Sequence, residues 1–464
     1  MISLLLLLAI PLIGSVVVLI LRRVVNDLIE YVAEAFVLLT VAIFLLSLLI
    51  GFSSFTLPVL PLINFNMALS LNGISLPFLL IAVLVPIFAL LPARREIKEG
   101  KSTFYSLFLL IYAMIIGIFI SSDILLLFIF LEITLVSMFF LIYLFGEKEK
   151  RAKASVDFLI FTQLGSLAIL AAFALLFSSI GSFALSSISS SHISFFDSII
   201  ILSLMVFAAM IESPVFPLHV WIADAYDSSP TPVVILLSAL VSRLGLYFLL
   251  LIGFLSLSST FTMFQPLMWI GVLSVFYLAF VAMAQSRFKR MAIYSSALYA
   301  SLAFIGVMSG NPTAIYGSIF LMVSYSFITS AVFLMAGDLK SLNGTDDMTF
   351  IHGLLSSSPY LSFFLFVFLL ASLGLPGFSN FIGEFVTLLG IYLVSPWFLV
   401  TLAALLIVTA FYLNALKRMA FGRPIKGIRD ITGMEIINLS FLVFIIVLLG
   451  ILPSLLFSLV GLGI

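Results

Sequence analysis

Cysteine is absent from this sequence, and histidine occurs only three times in 464 residues. Without cysteine the chain can form neither a disulfide nor a cysteine-ligated iron–sulfur or zinc site. Redox chemistry at such sites must therefore take place elsewhere. The twenty basic residues balance the twenty acidic ones, so the net charge gives no argument for binding to nucleic acid.

Charged residues are also scarce. They make up 9% of the chain, whereas soluble domains carry about a quarter. Apolar residues make up 64%, and the mean hydropathy is +1.36. Because a spanning helix needs roughly 20 apolar residues, the sequence predicts an all-α membrane protein with about fourteen crossings. Predicted helices 1 to 14 lie at 2–21, 31–51, 74–92, 102–121, 123–145, 154–179, 198–222, 232–254, 264–284, 291–309, 311–337, 358–389, 394–420 and 436–462.

The lysines and arginines are distributed unevenly between the predicted loops. If the helices alternate in direction, nineteen of the twenty lie in or beside the loops of one side, and the exception is Arg243. One miscounted helix would scatter this pattern, so it supports the count. Under the positive-inside rule the basic loops face inward. We therefore expect a multi-pass protein of the cell (inner) membrane with both termini on the outer face.

Four charged residues remain inside predicted helices: Glu132 in helix 5, Glu212 in helix 7, Arg243 in helix 8 and Glu384 in helix 12. A charge at the bilayer centre costs at least roughly 2.5–3.5 kcal/mol. Each of them therefore needs a counter-charge, a water-filled cavity or a function. Structural ion pairs are the plain alternative, but four such residues on four helices favour a proton or cation path.

Two of these helices also contain helix-breaking residues. Ser213-Pro-Val-Phe-Pro217 follows Glu212, and Gly374-Leu-Pro-Gly377 precedes Glu384. Proline removes a backbone hydrogen bond and opens the helix. Broken helices at corresponding positions of two halves indicate inverted repeats. We predict helices 1–3 with their inner loop at residues 1–101, two inverted five-helix repeats at 102–254 and 255–435, and helix 14 at 436–464.

Several motifs resemble one known family over roughly residues 70–430. The strongest are Phe216-Pro-Leu-His-Val-Trp-Ile-Ala-Asp-Ala-Tyr226 and Ser229-Pro-Thr-Pro-Val233. Supporting matches are Phe130-Leu-Glu132, Lys289-Arg290 with Tyr294-Ser-Ser296, Ala371-Ser-Leu-Gly-Leu-Pro-Gly-Phe378 and Gly383-Glu-Phe385. The family is that of the antiporter-like subunits of respiratory complex I, which is shared with Mrp cation/proton antiporters and membrane-bound hydrogenases.

The resemblance implies roles for individual residues. Glu132 and Glu384 match the family's first and last proton-path positions, and Arg243 stands where helix 8 usually has lysine. Glu384 corresponds to the glutamate of M-type subunits. His219 and Lys289 are further relay candidates, although a structural hydrogen bond to the neighbouring loop is the favoured interpretation for His219.

The sequence departs from the family pattern at several of these positions. Glu212 replaces the helix 7 lysine, Tyr299 and Tyr325 replace histidines, and Arg287 replaces an aspartate. The tyrosines can relay a hydrogen bond, but their ordinary pKa near 10 makes them poor proton stores at neutral pH. Three interpretations stay open. In the first, Glu132 and Glu212 flank Arg243 and the path still conducts protons. In the second, the paired acids select Na⁺ or another cation. In the third, the chain is a non-conducting structural subunit.

The resemblance also implies a setting. The chain would be the proton-translocating membrane subunit of a complex I-like quinone oxidoreductase that uses NADH, ferredoxin or F420. Its partners would be other membrane subunits and the lipid bilayer, and Fe–S clusters with a flavin or quinone would lie in partner subunits. A subunit of an Mrp-type antiporter or of a membrane-bound hydrogenase is the alternative. An intramembrane hydrolase is disfavoured because His-Glu-x-x-His and Gly-x-Ser-x-Gly are absent. Trp221, Trp269 and Trp397 lie near predicted helix ends, which is typical of interfacial anchors.

Overall fold

The structure is a computed structural model that describes residues 2–22, 28–60, 65–190, 193–254, 257–423 and 429–460. In this part of the chain, thirteen helices are long and apolar enough to span a membrane. A further span is split into two shorter apolar helices, Pro359–Ser372 and Ser379–Val394. The prediction of an all-α membrane protein with about fourteen spans is therefore confirmed.

We number the spans in chain order. They are α1 Leu4–Leu21, α2 Ile29–Ile50, α3 Ser75–Glu96, α4 Lys101–Ile120, α5 Ile124–Phe145, α6 Arg151–Ile180, α7 Phe195–Glu212, α8 Thr231–Gly253, α9 Thr262–Met283, α10 Phe288–Met308, α11 Pro312–Asn343, α12a Pro359–Ser372, α12b Ser379–Val394, α13 Pro396–Ala420 and α14 Met434–Ile451. Short helices lie at Leu185–Ser190, Trp221–Ser228, Ser258–Phe261, Leu354–Ser357 and Ser454–Phe457.

Four short strands complete the described structure. Strand β1 (Ile2–Ser3) pairs in parallel with β2 (Phe52–Ser53). Strands β3 (Phe55–Leu60) and β4 (Phe65–Leu69) form an antiparallel pair. The connection between α2 and α3 therefore contains a small β-structure at one face of the bundle.

Side-chain caps explain the tight turns between helices. The carboxylate of Asp123 accepts hydrogen bonds from the amides of Leu125 and Leu126, at 2.9 and 3.2 Å, and starts α5 immediately after α4. Asn311 starts α11 in the same way, and Pro312 follows it at the first helical position. These caps satisfy amides that a helix start leaves without partners, so the chain can reverse direction within a few residues.

The basic loops meet at one face of the bundle, which we call the basic face. Ion pairs across it join Lys101 to Glu30, Arg95 to Glu435 and Arg287 to Asp346, each at 3.0 Å. These pairs connect α4 with α2, α3 with α14, and the start of α10 with the loop after α11. Two of the nineteen loop cations, Arg23 and Lys426, lie outside the described residues.

Helices α8 and α11 lie at the centre of the bundle and are buried along their apolar length. The Ser326 hydroxyl of α11 donates to the Ala239 carbonyl of α8 at 2.7 Å. Helix α8 is irregular, because π-helical turns at Leu237–Val241 and Leu249–Phe254 flank the α-helical segment Ser242–Phe248. Such turns are frequent at functional sites. The division into inverted repeats at 102–254 and 255–435 stays a prediction.

Candidate proton path through the membrane

Helix α7 ends at Glu212, as the following prolines predict. Pro214 has no amide hydrogen, and the Val215 amide bonds to the Met210 carbonyl at 3.0 Å, one residue earlier than a regular helix requires. The Ile211 carbonyl is thereby left free, and it accepts a hydrogen bond from the indole nitrogen of Trp221 at 3.1 Å. The broken helix is thus stabilised by a side chain from the short helix that follows it.

This contact corrects the prediction for Trp221. Its side chain is 1% exposed, so it is not an interfacial anchor, whereas Trp269 and Trp397 are 46% and 78% exposed. The indole is buried because its N–H is needed at the break in α7. Buried tryptophans usually find such a partner for their N–H group.

Glu212 is fully buried, and both of its carboxylate oxygens lack hydrogen-bond partners. Two glycines leave space for the side chain. A Cβ on Gly165 of α6 would lie 2.9 Å from Glu212 Oε1, and a Cβ on Gly245 of α8 would lie 2.8 Å from Glu212 Cβ. A larger residue at either position would push the carboxylate out of its site.

Glu132 of α5 contacts α6, and Gly165 of that helix lies beside Glu212. Its Oε2 atom accepts a hydrogen bond from Gln163 Nε2 of α6 at 2.9 Å, and its Oε1 atom is buried without a partner. Glu132 lies close enough to Glu212 for the negative charges of the two carboxylates to repel each other. The two predicted residues therefore lie within electrostatic range of each other, and three of their four carboxylate oxygens are buried without a hydrogen-bond partner.

Arg243 occupies a different environment from the one expected. It is fully buried, and its Nε and Nη2 atoms have no hydrogen-bond partner. In the described part of the chain, no carboxylate oxygen lies within 4.0 Å of its guanidinium. Its ionisable neighbours are Tyr226 and Tyr325, and the guanidinium lies 5.9 Å from the ring centre of Tyr325, within cation–π range. Arg243 therefore makes a cation–π contact with Tyr325 and forms no ion pair with Glu132 or Glu212.

From Tyr325 the contacts continue to the second broken helix. The rings of Tyr325 and Tyr299 stack with their centres 4.1 Å apart. The Tyr299 hydroxyl donates to the carbonyl of Ser372, the last residue of α12a. That carbonyl is free because its regular partner would be the amide of Pro376, which does not exist.

Glu384 is held at the same break. Asn380 Nδ2 donates to Glu384 Oε1 at 2.6 Å and makes a longer contact of 3.4 Å with the Ser372 carbonyl. Gly374 has a φ of +66°, and a Cβ there would overlap the Glu384 carboxylate. A cavity of about 420 Å³ between α12b and α13 reaches Tyr299 and Glu384, and Phe385 and Leu406 at its wall are exposed on the outside of the bundle.

Sequence reasoning missed a hydroxyl cluster beside Tyr325. Ser295 of α10 lies 2.9 Å from the Tyr325 hydroxyl and 2.6 Å from the hydroxyl of Tyr412 on α13. Tyr412 is fully buried in an apolar helix. A single tyrosine in an apolar helix suggests a buried hydrogen bond, but the sequence does not reveal that the partner is Ser295 on another helix.

The remaining relay candidates lie nearer the basic face. His219 is 6% exposed, its Nδ1 atom has no partner, and its ring packs against Tyr277 with the ring centres 5.2 Å apart. The Lys289 ammonium donates to the carbonyls of Asp227 and Ser229, at 3.0 and 2.7 Å. A cavity of about 470 Å³ that is open at this face is lined by Asp227, Lys289 and Lys340 among others.

Asp227 is the shared ion-pair partner of two arginines at this part of the basic face. Its buried carboxylate forms ion pairs with Arg287 at 2.8 Å and with Arg290 at 3.1 Å. Burial by itself would raise the pKa of Asp227, but the positive charges of Arg287, Lys289 and Arg290 outweigh burial and hold the pKa below its usual value. Arg287, which we noted as a departure from the family pattern, is thus an ion-pair partner for this carboxylate.

Within the described ranges, no group of three or more histidine, aspartate or glutamate side chains is arranged to hold a metal ion. The candidate residues lie in two groups in the membrane and one group at the basic face. Glu132 lies within electrostatic range of Glu212, a series of contacts runs from Arg243 through Tyr325 and Tyr299 to the break at Glu384, and Lys289 lines the basic-face cavity.

Comparison with known proteins places this arrangement in a family. The family described as the transmembrane region of NADH:quinone oxidoreductases and Mrp antiporters matches residues 121–410. The chain is 30% identical over 419 residues to NADH-quinone oxidoreductase subunit M of Escherichia coli K12, covering 87% of this chain and 82% of that protein. It is 30% identical over 411 residues to F420H2 dehydrogenase subunit M of Methanosarcina mazei, covering 85% and 82%.

The fold agrees with these sequence relationships. A chain in the structure of respiratory complex I from Thermus thermophilus with bound NADH superimposes with a TM-score of 0.90 and 28% identity, covering 99% of this chain and 98% of that chain. The chain therefore belongs to the family of antiporter-like membrane subunits that NADH:quinone oxidoreductases and Mrp antiporters share.

Proposed function

We propose that this chain is the proton-translocating membrane subunit of a complex I-like quinone oxidoreductase. It works beside other membrane subunits, and the Fe–S clusters with a flavin or quinone belong to its partners. The basic face is the inner face of the cell membrane, and both termini face outward. The placement of nineteen of twenty lysines and arginines supports this orientation.

The observation that carries the proposal is the contact series from Arg243 to Glu384. Arginine stays protonated in proteins, so Arg243 supplies a fixed positive charge and does not carry the proton itself. The stacked Tyr325 and Tyr299 bring the series to the break in α12, where Glu384 can accept and release a proton. The cavity beside Glu384 gives the carboxylate access to the outside of the bundle, where another membrane subunit can dock.

Glu132 and Glu212 form the second element of the path. Two carboxylates at one site repel each other, and one proton on either of them removes the repulsion. The pair can therefore hold or release a proton as the charge of its surroundings changes. Lys289 and His219 lie on the basic-face side, and the cavity at Lys289 supplies water from that face.

The test is proton pumping by the intact, reconstituted complex. We expect Glu132→Gln and Glu384→Gln each to lower the number of protons moved per electron, because glutamine cannot take up the proton. Glu149→Gln on the exposed basic face is the matched control and leaves the ratio unchanged. If the ratio in both membrane variants equals that of the control, the chain is a non-conducting structural subunit.

A second candidate function is exchange of a monovalent cation. The three unpartnered oxygens of Glu132 and Glu212 favour it, because carboxylate oxygens are ligands for hard cations. Uptake of radioactive sodium into vesicles that contain the complex distinguishes the two functions. Sodium uptake that is lost in Glu212→Gln supports cation exchange, and pumping that proceeds without sodium supports proton translocation.

A further inference from the structure

The hydroxyl cluster beside Tyr325 consists of three buried side chains from three helices. The Ser295 hydroxyl of α10 lies 2.9 Å from the Tyr325 hydroxyl of α11 and 2.6 Å from the Tyr412 hydroxyl of α13. The two tyrosine hydroxyls lie 3.4 Å apart. Ser295 and Tyr412 are fully buried, and Tyr325 is 2% exposed. Ser295 is the central residue of the motif Tyr294-Ser-Ser296, and the proposed path gives no role to Ser295 or Tyr412.

The three hydroxyls of the cluster can satisfy one another. Each hydroxyl donates one hydrogen bond and can accept another, so three hydroxyls in mutual contact can form a closed ring in which each donates once and accepts once. Burying a hydroxyl without a partner is costly, so the ring stabilises the packing of α10, α11 and α13 at this point. Loss of the Ser295 hydroxyl removes both short contacts and leaves Tyr325 and Tyr412 with the contact of 3.4 Å.

Helix α10 contacts Tyr325 at two places. Ser295 and Tyr299 lie about one turn apart on the same face of α10, because residues four positions apart share a helix face. Ser295 contacts the Tyr325 hydroxyl. The ring of Tyr299 stacks on the ring of Tyr325, with the ring centres 4.1 Å apart and the planes 26° from parallel. One face of α10 therefore holds both the hydroxyl end and the ring of Tyr325.

The contact between Arg243 and Tyr325 depends on the position of the Tyr325 ring. The guanidinium lies 5.9 Å from the ring centre. Cation–π attraction extends to about 6 Å and requires the cation to lie over the face of the ring. The contact is therefore near the limit of its range, and a small displacement of the ring would break it. The stack on Tyr299 would change as well, because both contacts use the same ring.

We propose that Ser295 and Tyr412 are positioning residues of the path, which hold the Tyr325 ring in contact with both Arg243 and Tyr299. They act through the Tyr325 hydroxyl, and neither of them carries the proton. Removal of either hydroxyl loosens Tyr325 and interrupts the contact series from Arg243 without touching Glu384. The effect on pumping rests on the proposed function, whereas the effect on the position of Tyr325 does not.

The first experiment measures the number of protons moved per electron by the reconstituted complex that carries Tyr412→Phe. The phenylalanine retains the ring and removes the hydroxyl. Tyr112→Phe is the matched control, because Tyr112 of α4 is fully buried and its hydroxyl donates to the Val83 carbonyl at 3.3 Å, apart from the contact series. We expect a lower ratio in Tyr412→Phe and an unchanged ratio in Tyr112→Phe. Equal ratios in the two variants overturn the role of Tyr412.

Ser295→Ala tests the serine of the cluster in the same way. Ser106→Ala is its matched control, because Ser106 of α4 is also buried and its hydroxyl lies 3.0 Å from the Ser15 hydroxyl of α1. Both substitutions remove a contact between hydroxyls of two helices, but only Ser295 contacts Tyr325. We expect a lower ratio in Ser295→Ala and an unchanged ratio in Ser106→Ala. A ratio in Ser295→Ala that equals the control overturns the role of Ser295.

Two further readouts separate positioning from a general loss of stability. Residues that act through one another have non-additive effects. We therefore expect Tyr412→Phe to cause no further decrease of the ratio in a Tyr325→Phe background, and additive decreases overturn the inference.

The second readout is the distance between the ring centres of Tyr299 and Tyr325 in a cryo-electron microscopy map of the complex. We expect Ser295→Ala to increase it above 4.1 Å and Ser106→Ala to leave it unchanged. A ratio that falls in Ser295→Ala while the stack stays in place overturns the positioning role.

The outcomes also separate this inference from the proposed function. If Glu384→Gln lowers the ratio while Ser295→Ala and Tyr412→Phe equal their controls, the proposed function stands and the inference fails. If Glu132→Gln and Glu384→Gln leave the ratio unchanged, the proposed function fails. The map of Ser295→Ala then decides the inference by itself, since a displaced Tyr325 ring supports positioning and an undisplaced ring overturns it.

Discussion

Tyr299 donates its hydroxyl hydrogen bond to the carbonyl of Ser372, the carbonyl that a proline leaves without an amide partner. The bond joins α10 to the end of α12a at the point where Glu384 is held. A parallel contact exists at the other broken helix, where Trp221 donates to the Ile211 carbonyl beside Glu212. In each case a side chain satisfies the freed backbone group and keeps the break next to a buried glutamate.

Tyr299→Phe tests the contact at α12. The phenylalanine keeps the stack on Tyr325 but leaves the Ser372 carbonyl with only the longer contact from Asn380. A buried polar group without a good partner costs about 1–3 kcal/mol. We expect a lower proton-to-electron ratio together with a lower temperature of thermal inactivation. Tyr392→Phe on the exposed side of α12b is the control and should change neither quantity.

Gly374→Ala tests the space that the Glu384 carboxylate occupies. The substitution places a methyl group against the carboxylate and forces a left-handed conformation on alanine, which costs roughly 1–2 kcal/mol. Gly344→Ala is the matched control, because its φ is +73° and nothing lies within 4 Å of the added Cβ. We expect Gly374→Ala to lose proton pumping and Gly344→Ala to retain it. Equal pumping by the two variants would contradict the placement of Glu384.

Asp227→Asn tests the ion pairs of the basic face. The substitution removes the buried carboxylate that pairs with Arg287 and Arg290, and we expect a loss of about 1–3 kcal/mol of stability. Asp224→Asn, whose carboxylate is 41% exposed and pairs with Lys153, should cost about 0–1 kcal/mol. Thermal inactivation of the solubilised complex measures both.

The same substitution has a defined pH dependence. The pKa of Asp227 is held below its ordinary value by the surrounding cations, so the carboxylate contributes its full stabilisation above about pH 3.9. The contribution is lost as the pH falls through the lower pKa of the folded state. The difference in stability between the wild-type chain and Asp227→Asn should therefore be constant from neutral pH down to about pH 4 and shrink below it. A difference that shrinks between pH 7 and 5 would contradict this account.

Composition and local pattern were sufficient for much of the fold. The length of the apolar runs predicted the fourteen spans, and Pro214 and Pro376 predicted the two breaks, because both effects act within a single helix. The four intramembrane charges were also identifiable, because a charge in an apolar run is conspicuous in the sequence. Their family roles came from the motifs and were a matter of resemblance.

Contacts between distant segments could not be predicted. The burial of Trp221 depends on a carbonyl ten residues earlier, and the bond between Ser295 and Tyr412 joins helices 117 residues apart in sequence. Helix order could not show whether Glu132 and Glu212 form ion pairs with Arg243, because it does not reveal which residues on neighbouring helices face each other. The π-helical turns of α8 had no signal that we recognised in the sequence.

We propose that the chain conducts protons although Glu212 stands where the resemblance implies a lysine. The most direct measurement is the number of protons moved per electron by the reconstituted complex that carries Glu212→Gln, with Glu149→Gln as control. We predict that the ratio falls in Glu212→Gln while electron transfer to quinone continues, because the carboxyl pair can no longer exchange its proton. A ratio equal to that of the wild type and of Glu149→Gln would contradict the account.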